Sequence, residues 1–109
     1  MSNSAGLEIL DFSFPGRRIA DAFPPVLVGV VGSGNLEVML ERAAGDECTV
    51  RIETSARGFG PIWRAVLADF HERHPFGGIR ISINDMGATP AVVSLRLGQA
   101  VAELPGASS

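Results

Sequence analysis

One serine stands out as a group that could do chemistry. In VVGSGNLEVML, Ser33 sits between Gly32 and Gly34, where one apolar run ends and another begins. A catalytic serine needs a base within hydrogen-bonding reach, and in many hydrolases it sits on a G-x-S-x-G elbow that leads from a strand into a helix. VGSGN departs from that pattern and leads into a strand, and no residue of the chain is marked as the base. The residues therefore argue against nucleophilic catalysis and leave two uses for the hydroxyl. Ser33 is either a small polar turn residue, or a hydroxyl presented between glycines for another enzyme to modify.

The other candidates read more plainly. His71 and His74 in HERH are three residues apart and could share a helix face. A metal site would need a third ligand, and the motif is not H-E-x-x-H, so no metal is expected. Beside Arg73, both histidines suit the negative end of a helix dipole. Asp85 in INDMGATP is either an acid or base, or a turn residue at the point where a strand gives way to a helix. Cys48 cannot form an internal disulfide, and it shares parity with Val50 and Ile52, which makes it a small core residue.

Composition limits the setting. With 109 residues, 46% hydrophobic content and a net charge of −3, the chain fits one domain over 1–109, with flexible ends at about 1–6 and 105–109. Nine basic residues are scattered rather than clustered, which argues against a nucleic-acid partner. The start MSNSAGLEIL lacks the pattern of a secretory signal, and VLVGVV is far shorter than the roughly 20 residues of a membrane span. A cytoplasmic protein without a membrane partner is expected.

The elements that must position these groups are well punctuated. LDFSF alternates as a strand and ends at Pro15-Gly16; residues 17–25 read as a loop. VLVGVV reads as a strand covered on both faces, and NLEVMLE as a strand with Leu36, Val38 and Leu40 on one side, the Ser33-Gly34 pair forming a hairpin tip between them. CTVRIETS alternates without a fault. GFGPIWRAVLADFHERHP predicts a helix begun by Pro61, with Ile62, Trp63, Val66, Leu67 and Phe70 facing the core. GGIRISIND returns to a strand, and TPAVVSLRLGQAVAEL predicts a second helix, capped by Thr89 and lined by Val93, Leu97, Ala100, Val101 and Leu104. The order implies an α+β domain: a small, mostly antiparallel sheet with two helices packed on one face.

Three blocks in this order, LVGVVGSGNLEVML, TSARGFGPIWRAVLADFHERHP and ISINDMGATPAVVSLRLGQA, resemble the acyl carrier (delta) subunits of malonate decarboxylase and, more distantly, the gamma subunits of citrate lyase. GFGPIW and NDMGATP favour the malonate branch. The resemblance implies that Ser33 is the attachment point of 2'-(5''-phosphoribosyl)-3'-dephospho-coenzyme A, held through a phosphodiester. The aspartate of the family's S-G-D motif is Asn35 here. It further implies a carrier with no catalytic residue of its own, whose malonyl thioester is decarboxylated by partner subunits to regenerate the acetyl form, because a thioester carbonyl can take up charge that the carboxylate of free malonate cannot. The implied partners are the alpha transferase subunit, the beta and gamma decarboxylase subunits, a malonyl transferase and the prosthetic-group transferase. Apart from the resemblance, a small α+β regulatory domain that seats an anion at GATP, before the second helix, is the other reading.

Overall fold

The computed structural model describes residues 7–105; both expected flexible ends lie almost wholly outside that range. Seven strands and two helices follow in the order β1 (Glu8–Pro15), β2 (Arg18–Ile19), β3 (Val26–Gly29), β4 (Leu36–Arg42), β5 (Glu47–Thr54), α1 (Gly60–Arg73), β6 (Phe76–Gly77), β7 (Ile79–Asp85) and α2 (Pro90–Val101). Five strands form one sheet in the order β1-β5-β7-β4-β3, and α1 and α2 cover one face of it. The α+β expectation matches this architecture. Among the described residues no helix is long and apolar enough to cross a membrane.

Residue alternation builds the core in rows. Phe12, Val50, Ile81, Leu40 and Val26 pair in register across all five strands, and so do Leu10, Ile52, Ile83, Val38 and Val28. Because side chains alternate along a strand, these rows share the face beneath the helices. Trp63, Leu67 and Phe70 of α1 and Val93, Leu97 and Ala100 of α2 close over them. Each fully buried leucine or isoleucine contributes about 1.5–3 kcal/mol of transfer free energy. The opposite face carries the mostly polar half of β1, β4, β5 and β7, tied by Arg51–Asp11 at 2.9 Å, Arg80–Glu41 at 3.3 Å and Asn84 donating to Glu37 at 3.2 Å.

The sheet is mostly antiparallel, as expected; within it β5 and β7 run parallel, because α1 carries the chain from the end of one back to the start of the other. Three finer expectations need correction. The loop expected over 17–25 contains β2, which pairs in parallel with β6; two-residue strands leave no alternation to read. VLVGVV is not covered on both faces. Its strand is the edge β3, which ends at Gly29, and Leu27, Val30 and Val31 are 59%, 63% and 50% exposed. Gly29 takes φ +81°, and a Cβ there would stand 2.2 Å from the Leu36 carbonyl oxygen, so the chain leaves the ladder at a residue only glycine can supply. Ile62, expected in the core, is 47% exposed at the first turn of α1.

Candidate functional site

The six residues 30–35 join β3 to β4 and carry Ser33 at one end of the sheet. Within this loop the Asn35 N–H donates to the Gly32 carbonyl at 2.9 Å, closing a four-residue turn with Ser33 and Gly34 at its centre. Gly34 adopts φ +73°, the positive value that the third position of a type II turn requires. Ser33 and Gly34 are exposed, and a Cβ added at Gly32 or Gly34 would meet nothing within 4 Å. Among the described residues Ser33 Oγ makes no hydrogen bond to the protein. The expected hairpin tip is thus present as a wider loop, with a free hydroxyl between two open flanks.

A second turn holds this loop in place. Gly34 N–H donates to the Met86 carbonyl at 2.8 Å, and Met86 N–H donates to the Asn35 carbonyl at 3.0 Å. Met86 follows Asp85, whose placement settles its role. Asp85 continues the inward parity of Ile79, Ile81 and Ile83 and is 2% exposed. Its carboxylate accepts from Thr54 Oγ1 at 2.8 Å, Ala88 N at 2.9 Å and Gly87 N at 3.2 Å. Thr54, directly opposite in the register and fully buried, accepts in turn from Ala56 N at 3.0 Å. Asp85 is therefore the anchor of the turn into α2, with its oxygens already taken. The parity of Thr54 with Ile52, and of Asp85 with Ile83, was legible in the strand alternation and marks this buried polar pair.

Beside the loop, α2 starts at the Thr89 cap, whose hydroxyl accepts from Val92 N at 3.3 Å, and presents Arg96 about two turns later. Arg96 Nε donates to Asn35 Oδ1 at 3.3 Å, and Nη1 donates to Gln99 Oε1 at 3.1 Å. Sequence reasoning overlooked Arg96; the signal was that α2 has no other charged residue in PAVVSLRLGQAV. Between the helices an apolar cavity of about 200 Å³ opens, walled by Phe59, Ile62, Trp63 and Val93 and reaching Asp85 and Gly87.

The remaining candidates lie elsewhere. His71 Nε2 donates to the Pro15 carbonyl at 2.8 Å, and its ring stacks on Phe14 with centroids 5.2 Å apart. His74 packs on Phe70 instead, at 5.3 Å, and burial, with Arg73 adding to it, lowers its pKa. Each histidine is thus part of the packing around α1. Cys48 is 1% exposed in the row beneath the helices, and burial pushes its thiol up to about 12.

Comparison with known proteins agrees with the blocks around these residues. Residues 24–104 match the family model of the malonate decarboxylase delta subunit (MdcD). A malonate decarboxylase acyl carrier protein from Burkholderia cepacia is 77% identical over 103 residues, covering 94% of this chain and 95% of that protein. One from Stenotrophomonas maltophilia (strain K279a) is 60% identical over 101 residues, covering 90% and 94%. In the crystal structure of a Pseudomonas malonate decarboxylase hetero-tetramer in complex with malonate, one chain matches with a TM-score of 0.77 and 36% identity, over 85% of this chain and 94% of that one. Of the two branches suggested by the sequence, the matches fall on malonate decarboxylase, and the chain belongs to the family of its delta subunits, the acyl carrier proteins.

Proposed function

We propose that this chain carries acetyl and malonyl thioesters for a malonate decarboxylase complex, on 2'-(5''-phosphoribosyl)-3'-dephospho-coenzyme A joined to Ser33 by a phosphodiester. The observation that carries this reading is the free, exposed Ser33 hydroxyl at a turn whose flanks are open on both sides. A long phosphate-linked group needs an outward hydroxyl with no competing hydrogen bond and no neighbouring side chain to obstruct a transferase, and the loop meets each condition. When bound, the group supplies a thiol whose acyl thioester accepts the electron pair released as carbon dioxide leaves.

The residues of the chain have other tasks. The turn presents Oγ, the Gly34 and Met86 hydrogen bonds fix where it points, and the Asp85 cluster holds Met86. Val30 and Val31 give the loop apolar shoulders of the kind that partner proteins cover. Acyl exchange, in which malonate takes the place of the acetyl group and acetate leaves, falls to the transferase alpha subunit; carbon–carbon cleavage and proton transfer, which regenerate the acetyl thioester, fall to the decarboxylase beta and gamma subunits. A malonyl transferase loads the thiol when it is free, and the prosthetic-group transferase attaches the group in the first place.

Intact mass is the direct test. Incubated with the prosthetic-group transferase and its donor, the chain gains one adduct, located to the peptide that contains Ser33, whereas Ser33→Ala gains none. A complex rebuilt with Ser33→Ala loses malonate decarboxylation, while Ser55→Ala and Ser94→Ala retain it. An adduct on Ser33→Ala, or full activity of that complex, would overturn the assignment.

A further inference from the structure

We infer that Arg96 is the cation that holds the phosphate joined to Ser33, an inference that rests on the carrier reading above. Arg96 is the one charged side chain of α2, and it is directed to the foot of the Ser33 loop. Its stem lies over Gly29, where an added Cβ would approach Cδ to 3.2 Å and Nε to 3.3 Å, so the glycine that ends β3 also makes room for the arginine. Asn35 Oδ1 receives Leu36 N–H at 2.8 Å as well as Arg96 Nε, which ties the guanidinium to the residue two places after Ser33.

The arrangement is unbalanced in charge. Among the described residues Arg51, Arg73 and Arg80 meet carboxylates and Arg17, Arg18, Arg42, Arg57 and Arg64, like Arg96, do not; what sets Arg96 apart is that it stands beside the Ser33 loop, held by two neutral amide oxygens. Among the described residues no carboxylate lies within 4 Å of its guanidinium, and Nη2 makes no hydrogen bond. Ser33 N–H, too, has no backbone acceptor there. A half-buried cation without a counter-charge contributes little to folding, because its desolvation is not offset by an ion pair. It suits an anion that arrives later. A phosphodiester is a permanent monoanion with two free oxygens, and the guanidinium is the side chain best shaped to hold such a group. The neutral amide at Asn35 orients Arg96 without neutralising it.

The test compares apo and adduct-bearing full-length chain, with loading confirmed by mass. In a proton–nitrogen correlation spectrum the Arg96 Nε–Hε signal shifts and exchanges more slowly once the group is attached. Phosphorus NMR reads the other partner: the diester signal in the folded chain differs from that of the proteolytic peptide bearing the same group. Arg96→Gln moves it to the peptide position, and Arg96→Lys leaves it between the two. The Nε–Hε comparison needs no variant, so it stands even if Arg96→Gln fails to fold. An adduct-bearing chain whose Arg96 signal does not move, or whose diester signal ignores Arg96→Gln, overturns the role of the arginine alone. A wild-type chain that takes no adduct overturns the carrier reading and the arginine's role together.

Discussion

The Ser33 loop and the Asp85 turn touch through two backbone hydrogen bonds, yet they use their polar side chains in opposite ways. Both turn at a glycine with a positive φ, Gly34 in one and Gly87 in the other. Asp85 is buried and accepts three hydrogen bonds, whereas Ser33 is exposed and its side chain has none among the described residues. Residue type alone would have ranked the carboxylate as the more reactive group. Placement reverses that order: the satisfied group is committed to structure, and the unsatisfied one is available to an outside partner.

The largest expected effect follows from removing the committed group. Asp85→Ala leaves the buried Thr54 hydroxyl with only its longer contact to the Ala56 carbonyl at 3.4 Å, and hands the Gly87 and Ala88 N–H groups, which lie in an exposed turn, over to water. The expected loss is about 1–3 kcal/mol of stability, carried mainly by the buried hydroxyl. Ser33→Ala, read in the same urea titration, changes stability by less than about 0.5 kcal/mol. Comparable losses in the two variants would erase the contrast between the turns and return Ser33 to a structural role.

Cys48 extends the contrast to a third nucleophilic atom. Its thiol lies beneath the helices and is pushed up to about 12, so almost no thiolate forms near neutral pH, and reagent reaches it only when the fold opens. Labelling of the native chain is expected to be slow and to accelerate sharply once urea unfolds it. Raising the pH from 7 to 9 below the denaturation range should not bring the rate near that of an unfolded control. Rapid native labelling would show that burial fails to shield the face on which Asp85 also lies.

Much of this was legible in the sequence, because alternation carries parity. The inward rows through Cys48, Val50 and Ile52 and through Ile79, Ile81 and Ile83 match their observed burial, and so does the capped second helix with Val93, Leu97 and Ala100. The turn reading of Asp85 rests on its place where a strand gives way to a helix, and the parity that placed Ile83 inward reaches the same residue and accounts for its burial. What stayed hidden depends on partners distant in sequence. The parallel pairing of β5 with β7 is set by α1 passing over the sheet, and the edge position of β3 with its end at Gly29 exposes Leu27, Val30 and Val31, whose local pattern reads as core. The approach of Arg96 to Asn35 spans 61 residues of chain, and no local spacing encodes it.

The smallest expected effect separates two reasons for the glycines around Ser33. Gly34 needs its φ of +73°, so Gly34→Ala should cost about 1 kcal/mol through backbone strain alone, because an added Cβ meets no neighbour within 4 Å. Gly32 has neither a positive φ nor a neighbour, and Gly32→Ala should alter stability by less than about 0.5 kcal/mol. If Gly32 were present only for the turn, attachment of the prosthetic group would proceed on Gly32→Ala at the wild-type rate. The open flank gives it another purpose: a methyl beside the hydroxyl narrows the approach of the transferase without disturbing the fold. Gly32→Ala is therefore expected to melt with wild type while accumulating the adduct more slowly in a mass-monitored time course. Equal rates for the two proteins would confine the glycines to backbone geometry, and a Gly32→Ala chain as destabilised as Gly34→Ala would show that the loop is packed more tightly than its open flanks indicate.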